Sequence, residues 1–358
     1  MHMADALISP LVGGAMYIAS GGISTLSIKK IELNLDEKKI PLMGVMGAFV
    51  FAAQMINFTI PGTGSSGHIG GALLLTVILG PYAAFLTMAS ILLIQALMFG
   101  DGGLLAYGCN VFNLGFYACF IAYPLIFKPL TKKGFSTSRI FVGSVLAAVL
   151  GLQLGAFSVV IETVLSGKTE LPFGAFVLLM QPIHLAIGFI EGLVTAAVIN
   201  FVWKTSPEIL ETMALGTSLK QVSIRKVLVS ILAMVLVTGG VLSWFASSKL
   251  DGLEWSIEKT AGTTEIEASS GVHEFFSKIQ GVTAIFPDYA MKKSEDESQL
   301  ISDQADEVAA SSEQWPAVNK ETSFSGIFGG FMTLLLAVSF GFVIRFMKRR
   351  SVVKENLE

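Results

Sequence analysis

Charged residues are scarce in this sequence. They make up 14% of its 358 residues, whereas hydrophobic residues make up 53%, and the mean hydropathy is +0.68. This balance excludes an ordinary soluble domain, because such a domain needs more polar surface. It is typical of helical proteins that cross a lipid bilayer several times. We therefore expect an all-α polytopic membrane protein, with no nucleic acid as a partner.

Cysteine is also rare, with only two residues in the chain. Cys109 and Cys119 lie in one apolar run, ten positions apart. Two cysteines at that separation on one helix cannot easily meet, so a disulfide is not expected. We interpret both as small buried apolar residues.

The beginning of the chain lacks the basic segment of a signal peptide, so we expect no cleavage there. Met1 is expected to be retained, since it is normally removed only before a small residue and His2 is large. Under this expectation the amino terminus carries a free amine.

Long apolar runs are abundant. Nine of them reach, or nearly reach, the ~20 residues that a spanning helix needs: about 7–28, 41–60, 69–80, 82–99, 103–127, 140–164, 173–202, 227–246 and 324–346. The third run is short and follows a loop, 61–71, that is rich in glycine. Backbone of this kind lies at membrane depth only where protein or a water-filled cavity satisfies it, and broken spans often mark binding sites. The alternative is an ordinary exposed hairpin.

Basic residues cluster on one side of a nine-span topology. Four groups hold most of them: Lys29, Lys30, Lys38 and Lys39; Lys128, Lys132, Lys133 and Arg139; Lys204, Lys220, Arg225 and Lys226; and Arg345, Lys348, Arg349, Arg350 and Lys354. The positive-inside rule assigns that side to the cytoplasm. We therefore expect a prokaryotic inner (plasma) membrane protein with its amino terminus outside and its carboxyl terminus in the cytoplasm.

The runs divide the chain into units. We expect a seven-span unit over 1–203, a cytoplasmic linker over 204–226, a two-span unit over 227–346 and a cytoplasmic tail over 347–358. The two-span unit contains a large extracytoplasmic loop, 247–323, that is strongly acidic. Its part from 294 to 312 is rich in Ser, Glu, Asp and Ala and is predicted to be mobile.

Two of the four histidines suggest a metal site. With a free amine in front of it, His2 can close two chelate rings on a metal: a five-membered ring through the amine and the His2 amide nitrogen, and a six-membered ring through that amide and Nδ1. His68, in the glycine-rich loop, could supply a fourth nitrogen. Four nitrogens in a plane suit nickel(II) or copper(II) better than zinc. Taken singly, each histidine also fits a frayed terminus or a solvated loop.

These residues resemble the CbiM/NikM family, the nickel/cobalt substrate-capture (S) components of energy-coupling-factor (ECF) ABC importers. Four stretches carry the resemblance: Met1-His2-Met3-Ala4-Asp5 through Ser9-Pro10; Gly67-His68-Ile69-Gly70-Gly71; Gln95 to Leu104 continuing to Asn110-Val111-Phe112-Asn113; and Pro182-Ile183-His184-Leu185 with Glu191-Gly192.

The remainder is similar to the companion NikN/CbiN subunit, fused to the first. Asp251-Gly252-Leu253-Glu254-Trp255 resembles its PDGLE motif, with Leu250 in place of the proline, which leaves the local turn in doubt. Phe286-Pro287-Asp288-Tyr289-Ala290 resembles a second signature of that partner.

The resemblance implies a transport subunit rather than an enzyme. The metal ligands of that family correspond to Met1, His2 and His68 in this sequence. The resemblance also implies Ni2+ or Co2+ as the transported substrate and no permanent cofactor. It further implies a transmembrane coupling (T) subunit and separate ATPase (A) subunits, in agreement with the absence of a G-x-x-x-x-G-K-[ST] pattern in this sequence. The alternative within the family is cobalt uptake that feeds cobalamin synthesis.

Other polar or small residues carry weaker hypotheses. Asp101 and Asn110 are candidates to orient His68, or to cap a turn. His184 and Glu191 share a helix face, and we favour a structural role for them over proton coupling.

Ala48 and Ala52 form a small-xxx-small pair that could dock the coupling subunit or pack inside the chain.

Two other classes of protein fit less well. An intramembrane metalloprotease would need an H-E-x-x-H motif, which is absent. A metal sensor would need a cytoplasmic signalling domain, for which the tail after Arg350 is too short.

Overall fold

The structure is a computed structural model that describes residues 1–34, 36–264, 266, 270–291 and 316–355. The stretch predicted to be mobile, 294–312, lies outside the described residues.

The described chain is almost entirely helical, and each of the nine predicted apolar runs contains a helix. The helices are α1 (Pro10–Leu33), α2 (Lys39–Gln54), α3 (Ala72–Leu79), α4 (Pro81–Phe99), α5 (Tyr107–Thr131), α6 (Thr137–Leu165), α7 (Phe173–Thr205), α8 (Pro207–Leu215), α9 (Arg225–Gly240), α10 (Gly252–Ala261), α11 (Gly271–Thr283) and α12 (Lys320–Glu355). Two short antiparallel strands, β1 (Phe58–Thr59) and β2 (Ser66–Gly67), form a hairpin between α2 and α3.

Within the described residues, six helices are long and apolar enough to cross a membrane: α1, α4, α5, α6, α7 and α12. Helices α2 and α9 have 16 residues each, and α3 has 8. At ~1.5 Å per residue, α3 reaches only part of the way across a bilayer. The all-helical membrane fold is confirmed, whereas the division into seven spans plus two stays a prediction.

Helices α6 and α7 pack closely because glycine leaves room for the facing backbone. A Cβ atom added at Gly192 of α7 would lie 2.4 Å from the Cα atom of Val145 in α6. At Gly188, one turn earlier, the corresponding distance to the Cα atom of Val149 is 2.9 Å. This close approach is the packing that small residues allow between membrane helices.

Helix α2 is enclosed by helices of the same chain, since α9 and α12 both pack against it. Ala48 and Ala52 are 1% and 0% exposed, and a Cβ atom added at Gly330 of α12 would lie 3.6 Å from the Ala48 carbonyl oxygen. The small-residue pair therefore packs inside the chain. In this structure neither alanine offers exposed surface to a partner.

The glycine-rich break before α3 is held by protein on several sides. Ser66 N donates to the Leu250 carbonyl at 2.7 Å, and Gly70 N donates to Glu191 Oε2 at 2.7 Å. Gly71 has φ +80°, and a Cβ atom there would meet a Val50 methyl at 2.6 Å, so glycine is required on both counts. These contacts support the broken-span interpretation over an exposed hairpin.

Candidate metal site

The amino-terminal peptide is fixed by a side-chain amide at the start of α5. Asn110 Oδ1 accepts a hydrogen bond from Met3 N at 2.7 Å, and Asn110 Nδ2 donates to the Met3 carbonyl at 3.1 Å. Gly103 N donates to the same carbonyl at 2.8 Å. Asn110 therefore positions the terminal peptide, and these two side-chain hydrogen bonds go to Met3 rather than to His68.

The two predicted histidine ligands meet. The ring centroids of His2 and His68 are 5.0 Å apart with an interplanar angle of 15°, and the His2 side chain is 5% exposed. His68 Nδ1 lies 3.1 Å from the Ile69 carbonyl. A carbonyl oxygen can only accept, so Nδ1 carries the proton and the Nε2 lone pair of a neutral His68 is free. This is the arrangement that metal-binding histidines commonly show.

Asp101 contacts His2 and not His68. Its Oδ1 atom lies 3.2 Å from His2 Nδ1, and its Oδ2 atom accepts a hydrogen bond from the Tyr289 hydroxyl at 2.5 Å. In this structure the carboxylate therefore orients the ring of His2, whereas the sequence suggested His68 or a turn cap. The remaining ring nitrogen, His2 Nε2, is buried without a hydrogen-bond partner among the described residues.

The terminal amine also has a carboxylate partner. The Met1 amine donates to Asp251 Oδ2 at 3.0 Å, across 250 positions of sequence. Asp251 is the N-cap of α10, where its Oδ1 atom accepts from Leu253 N and Glu254 N at 2.8 Å each. The capped turn at the start of α10 therefore forms even though Leu250 stands where the PDGLE motif has proline.

Burial and charge determine the protonation of the site. Burial, together with the terminal ammonium group, lowers the pKa of His2 to about 3 and that of His68 to about 4. Burial alone would raise the pKa of Asp251, but the ammonium group and the backbone donors outweigh it and lower that pKa below its usual range. At neutral pH both imidazoles are uncharged and Asp251 is ionised.

A cavity of about 530 Å³, here called the vestibule, leads to the two histidines. Its charged lining is mainly acidic: Asp5, Asp101, Asp251, Glu254 and Asp288 outnumber the one lysine, Lys249. Such a lining raises the local concentration of cations. A second, very small cavity of about 10 Å³ lies beside it and is lined by Met1, His68, His184 and Asp251, among others.

Glu191 and His184 do not bond to each other. The carboxylate of Glu191 accepts from Gly70 N at 2.7 Å and Gly71 N at 3.1 Å, so it anchors the loop that carries His68. His184 Nδ1 donates to the Met180 carbonyl in its own helix at 2.8 Å. For Glu191 this is the structural role that the sequence favoured.

Side chains alone do not form a metal site in the described part of the chain. No group of three or more His, Cys, Asp or Glu residues is arranged there to hold an ion. A site at His2 and His68 therefore requires backbone donors from Met1 and His2. Sequence reasoning missed the contacts of Asp251 and Tyr289 with this region, although both residues lie in the motifs that it identified.

The apolar helices and the histidine pair below an acidic vestibule define a multi-span membrane protein with a site that is accessible to cations. Comparison with known protein families agrees with this class of protein. Residues 2–209 match the model of the cobalt uptake substrate-specific transmembrane region, CbiM, and residues 225–346 match the PDGLE domain. The chain belongs to the CbiM family and carries a fused PDGLE domain.

Individual relatives match over a similar stretch of this chain. A putative fused nickel transport protein NikMN of Archaeoglobus fulgidus is 34% identical, over 60% of this chain and 69% of its own length. A cobalt transport protein CbiM of Clostridium tetani is 26% identical, over 60% of this chain and 88% of its own length. The crystal structure of a truncated transition metal transporter is 30% identical, with a TM-score of 0.51, and covers 57% of this chain and 99% of that one.

Proposed function

We propose that this chain is the substrate-binding transmembrane component of an ECF importer for nickel(II) or cobalt(II). The observation that carries the proposal is the stacking of His2 on His68 at 5.0 Å, with the Met1 amine in the same buried region. Membership of the CbiM family and the names of the nickel and cobalt relatives support it.

The proposed ligands are the Met1 amine, the His2 amide nitrogen, His2 Nδ1 and a ring nitrogen of His68, for which Nε2 is the free atom. The first three form the nested five- and six-membered rings, and His68 closes the plane. The amine and the amide must each release a proton to bind the metal. His2 Nδ1 must also exchange Asp101 for the metal, because those two atoms are 3.2 Å apart in this structure.

Transport also requires partners under this proposal. The chain has no Walker A pattern, so a coupling subunit and separate ATPase subunits must convert ATP hydrolysis into uptake. The amino terminus and the vestibule then face the outside of the cell. The purified chain alone in liposomes should give no concentrative uptake.

Cobalt uptake for cobalamin synthesis is the second candidate, because the matching family model is a cobalt uptake region. A planar set of four nitrogens instead favours nickel. Binding of each ion to the purified chain, measured in competition with the other, separates the two candidates.

The test of the chelate inserts one alanine between Met1 and His2. This leaves every side chain in place but separates the amine from the histidine amide, so both nested rings are lost and nickel binding should fall by more than about a hundredfold. The matched control inserts alanine between Ala4 and Asp5, which lengthens the same peptide but keeps Met1 next to His2. Native affinity in the first variant would reject the terminal chelate.

Side-chain variants give a second comparison in uptake assays. His2→Ala and His68→Ala each remove a proposed ligand and should nearly abolish uptake. His184→Ala changes a buried residue outside the proposed set of ligands, so it should have a much smaller effect. Equal losses in all three variants would contradict the assignment of ligands.

A further inference from the structure

A second cavity, of about 550 Å³, lies at the other end of the helix bundle. Helix α1 begins near the candidate metal site and ends at this cavity, where α5 also ends and α4 begins. The linker helix α8 forms one of its walls. Three lysines line it, Lys30, Lys39 and Lys128, whereas no carboxylate of the described residues does. We call this cavity the basic groove.

The positive charge of the basic groove is not neutralised by the chain. Lys30 and Lys128 are exposed, and Lys39 is half-buried. Within the described part of the chain, none of the three ammonium groups makes a hydrogen bond or an ion pair. The carboxylate of Asp36, three residues before Lys39, is buried and accepts from Leu219 N instead. The basic groove therefore attracts an anion from outside the chain.

The rest of the basic groove is largely apolar, and this surface continues along a spanning helix. Ile31, Leu79 and Phe120 belong to the lining. From Phe120 a row of aromatic rings follows α5 away from the lysines, with ring centroids 5.7 Å apart between Phe120 and Phe116 and 4.6 Å apart between Phe116 and Phe112. All three rings are partly exposed. This aromatic strip offers an apolar path that starts at the charged groups.

A tyrosine lies where the charged and apolar parts of the basic groove meet. The ring of Tyr82 lines the groove, and its centroid is 5.6 Å from that of Phe120. Its hydroxyl has no hydrogen-bond partner among the residues that the structure describes. Tyrosine is enriched at the level of lipid headgroups because its ring is apolar and its hydroxyl is polar. The hydroxyl can donate to a phosphate or glycerol oxygen.

We propose that the basic groove binds one anionic phospholipid of the cytoplasmic leaflet, with its headgroup at the three lysines and an acyl chain along the aromatic strip of α5. On the predicted topology this end of the molecule faces the cytoplasm, where the leaflet carries anionic lipids and basic pockets between helices bind their headgroups. A soluble anion would not use the strip. The bound lipid contacts α1, α5 and the linker helix α8, so it stabilises the junction between the two domains. This inference does not depend on the metal site.

The first measurement compares two lipids on the purified full-length chain in detergent. Native mass spectrometry should show one molecule of palmitoyl-oleoyl-phosphatidylglycerol bound about tenfold more tightly than phosphatidylcholine, which has the same acyl chains and no net charge. The preference should decrease as salt is raised, because salt screens exposed charges. Equal binding of the two lipids would overturn the proposal and leave the basic groove to a protein partner.

The second measurement uses a matched pair of variants. Lys30→Gln combined with Lys128→Gln removes two charges from the basic groove. Lys133→Gln combined with Lys204→Gln removes two exposed charges from the same end of the molecule, and neither of these lysines lines the groove. Phosphatidylglycerol should bind about twentyfold more weakly to the first variant, since each lysine contributes about fivefold, and normally to the second.

Equal losses in the two variants would overturn the proposal, because they would show only a general attraction of anionic lipid to this basic end. Melting temperatures in lipid-free detergent establish that both variants are folded. If the first double variant does not fold, Lys128→Gln alone is compared with Lys133→Gln alone, with about a fivefold difference expected.

The third measurement separates a lipid from a soluble anion. Glycerol phosphate offers the phosphate group without acyl chains. The melting temperature of the native chain should rise with phosphatidylglycerol and stay unchanged with glycerol phosphate at the same concentration, because only the lipid covers the aromatic strip. An equal rise with both compounds would assign the basic groove to a soluble anion and overturn the proposal.

Discussion

The imidazoles of His2, which is 5% exposed, and of the partly buried His68 remain uncharged at neutral pH. Their pKa values, about 3 and about 4, lie well below the usual range because burial disfavours the charged form and the terminal ammonium group repels it. Over the physiological range the rings therefore neither gain nor lose a proton. Any pH dependence of metal binding between pH 5 and pH 8 must come from other donors.

Nickel affinity should fall as the pH is lowered from 8 to 5. In the proposed chelate the amine and the amide each release a proton on binding, so free protons compete with the metal, at roughly one decade of affinity per pH unit for each proton released. The rings add nothing to this slope. Titration of the purified chain with Ni2+ at several pH values measures it, and an affinity independent of pH would exclude an ionised amide as a ligand.

At the scale of whole elements, hydropathy placed the helices well. Nine apolar runs predicted nine helices, because insertion in a bilayer depends on composition over about 20 residues. Even the short α3 was indicated by the glycines before it. Hydropathy does not say which helix packs against which, so the small-residue pattern at Ala48 and Ala52 left both docking and internal packing open.

The contacts at the site could be predicted only in part. The chemistry of an amine followed by histidine pointed to His2, and the broken span pointed to His68. The partners of Met1 and His2 could not be found in this way, because Asp251 reaches the terminus across 250 positions of sequence. That contact depends on how the PDGLE domain packs, for which no local periodicity gives a signal.

Gly192→Ala should destabilise the packing of α6 on α7. The added methyl group would lie 2.4 Å from the Cα atom of Val145, and backbone cannot move aside as a flexible side chain does. Overpacking of this kind costs about 1–3 kcal/mol. Gly174→Ala is the matched control in the same helix, because nothing lies within 4 Å of its added Cβ atom. Thermal unfolding in detergent compares them, and equal melting temperatures would refute the prediction.

At the scale of the whole molecule, the predicted orientation can be tested with two engineered cysteines. Leu215→Cys lies in the expected cytoplasmic linker and Val282→Cys in the expected outer loop, and the native side chains are 77% and 82% exposed. An impermeant thiol reagent applied to intact cells should label only the second variant. The native Cys109 and Cys119 are buried, so they give little background. Labelling of Leu215→Cys would show that the linker faces the outside of the cell and would contradict the predicted topology.

The outer loop should assist metal loading without supplying a ligand of high affinity. Both ring nitrogens of His273 already have partners, the Ile8 carbonyl at 2.8 Å and the Ser270 hydroxyl at 2.6 Å. His273→Ala should therefore leave equilibrium affinity nearly unchanged, whereas deletion of 248–323 should slow uptake. Radioactive nickel uptake and equilibrium binding measure the two effects. A large loss of affinity in His273→Ala would show that this histidine ligates the metal.

The buried Met1 amine also makes protein synthesis part of how the site is built. A formyl or acetyl group on this nitrogen, or an amino-terminal tag, removes its charge and its basic lone pair, so the ion pair with Asp251 and the proposed chelate are both lost. Translation that starts at Met3 instead would leave almost the whole chain intact and delete the amine and His2 together. Under the proposed chelate, the choice of start codon and the processing of the first residue therefore decide whether the chain can bind the metal.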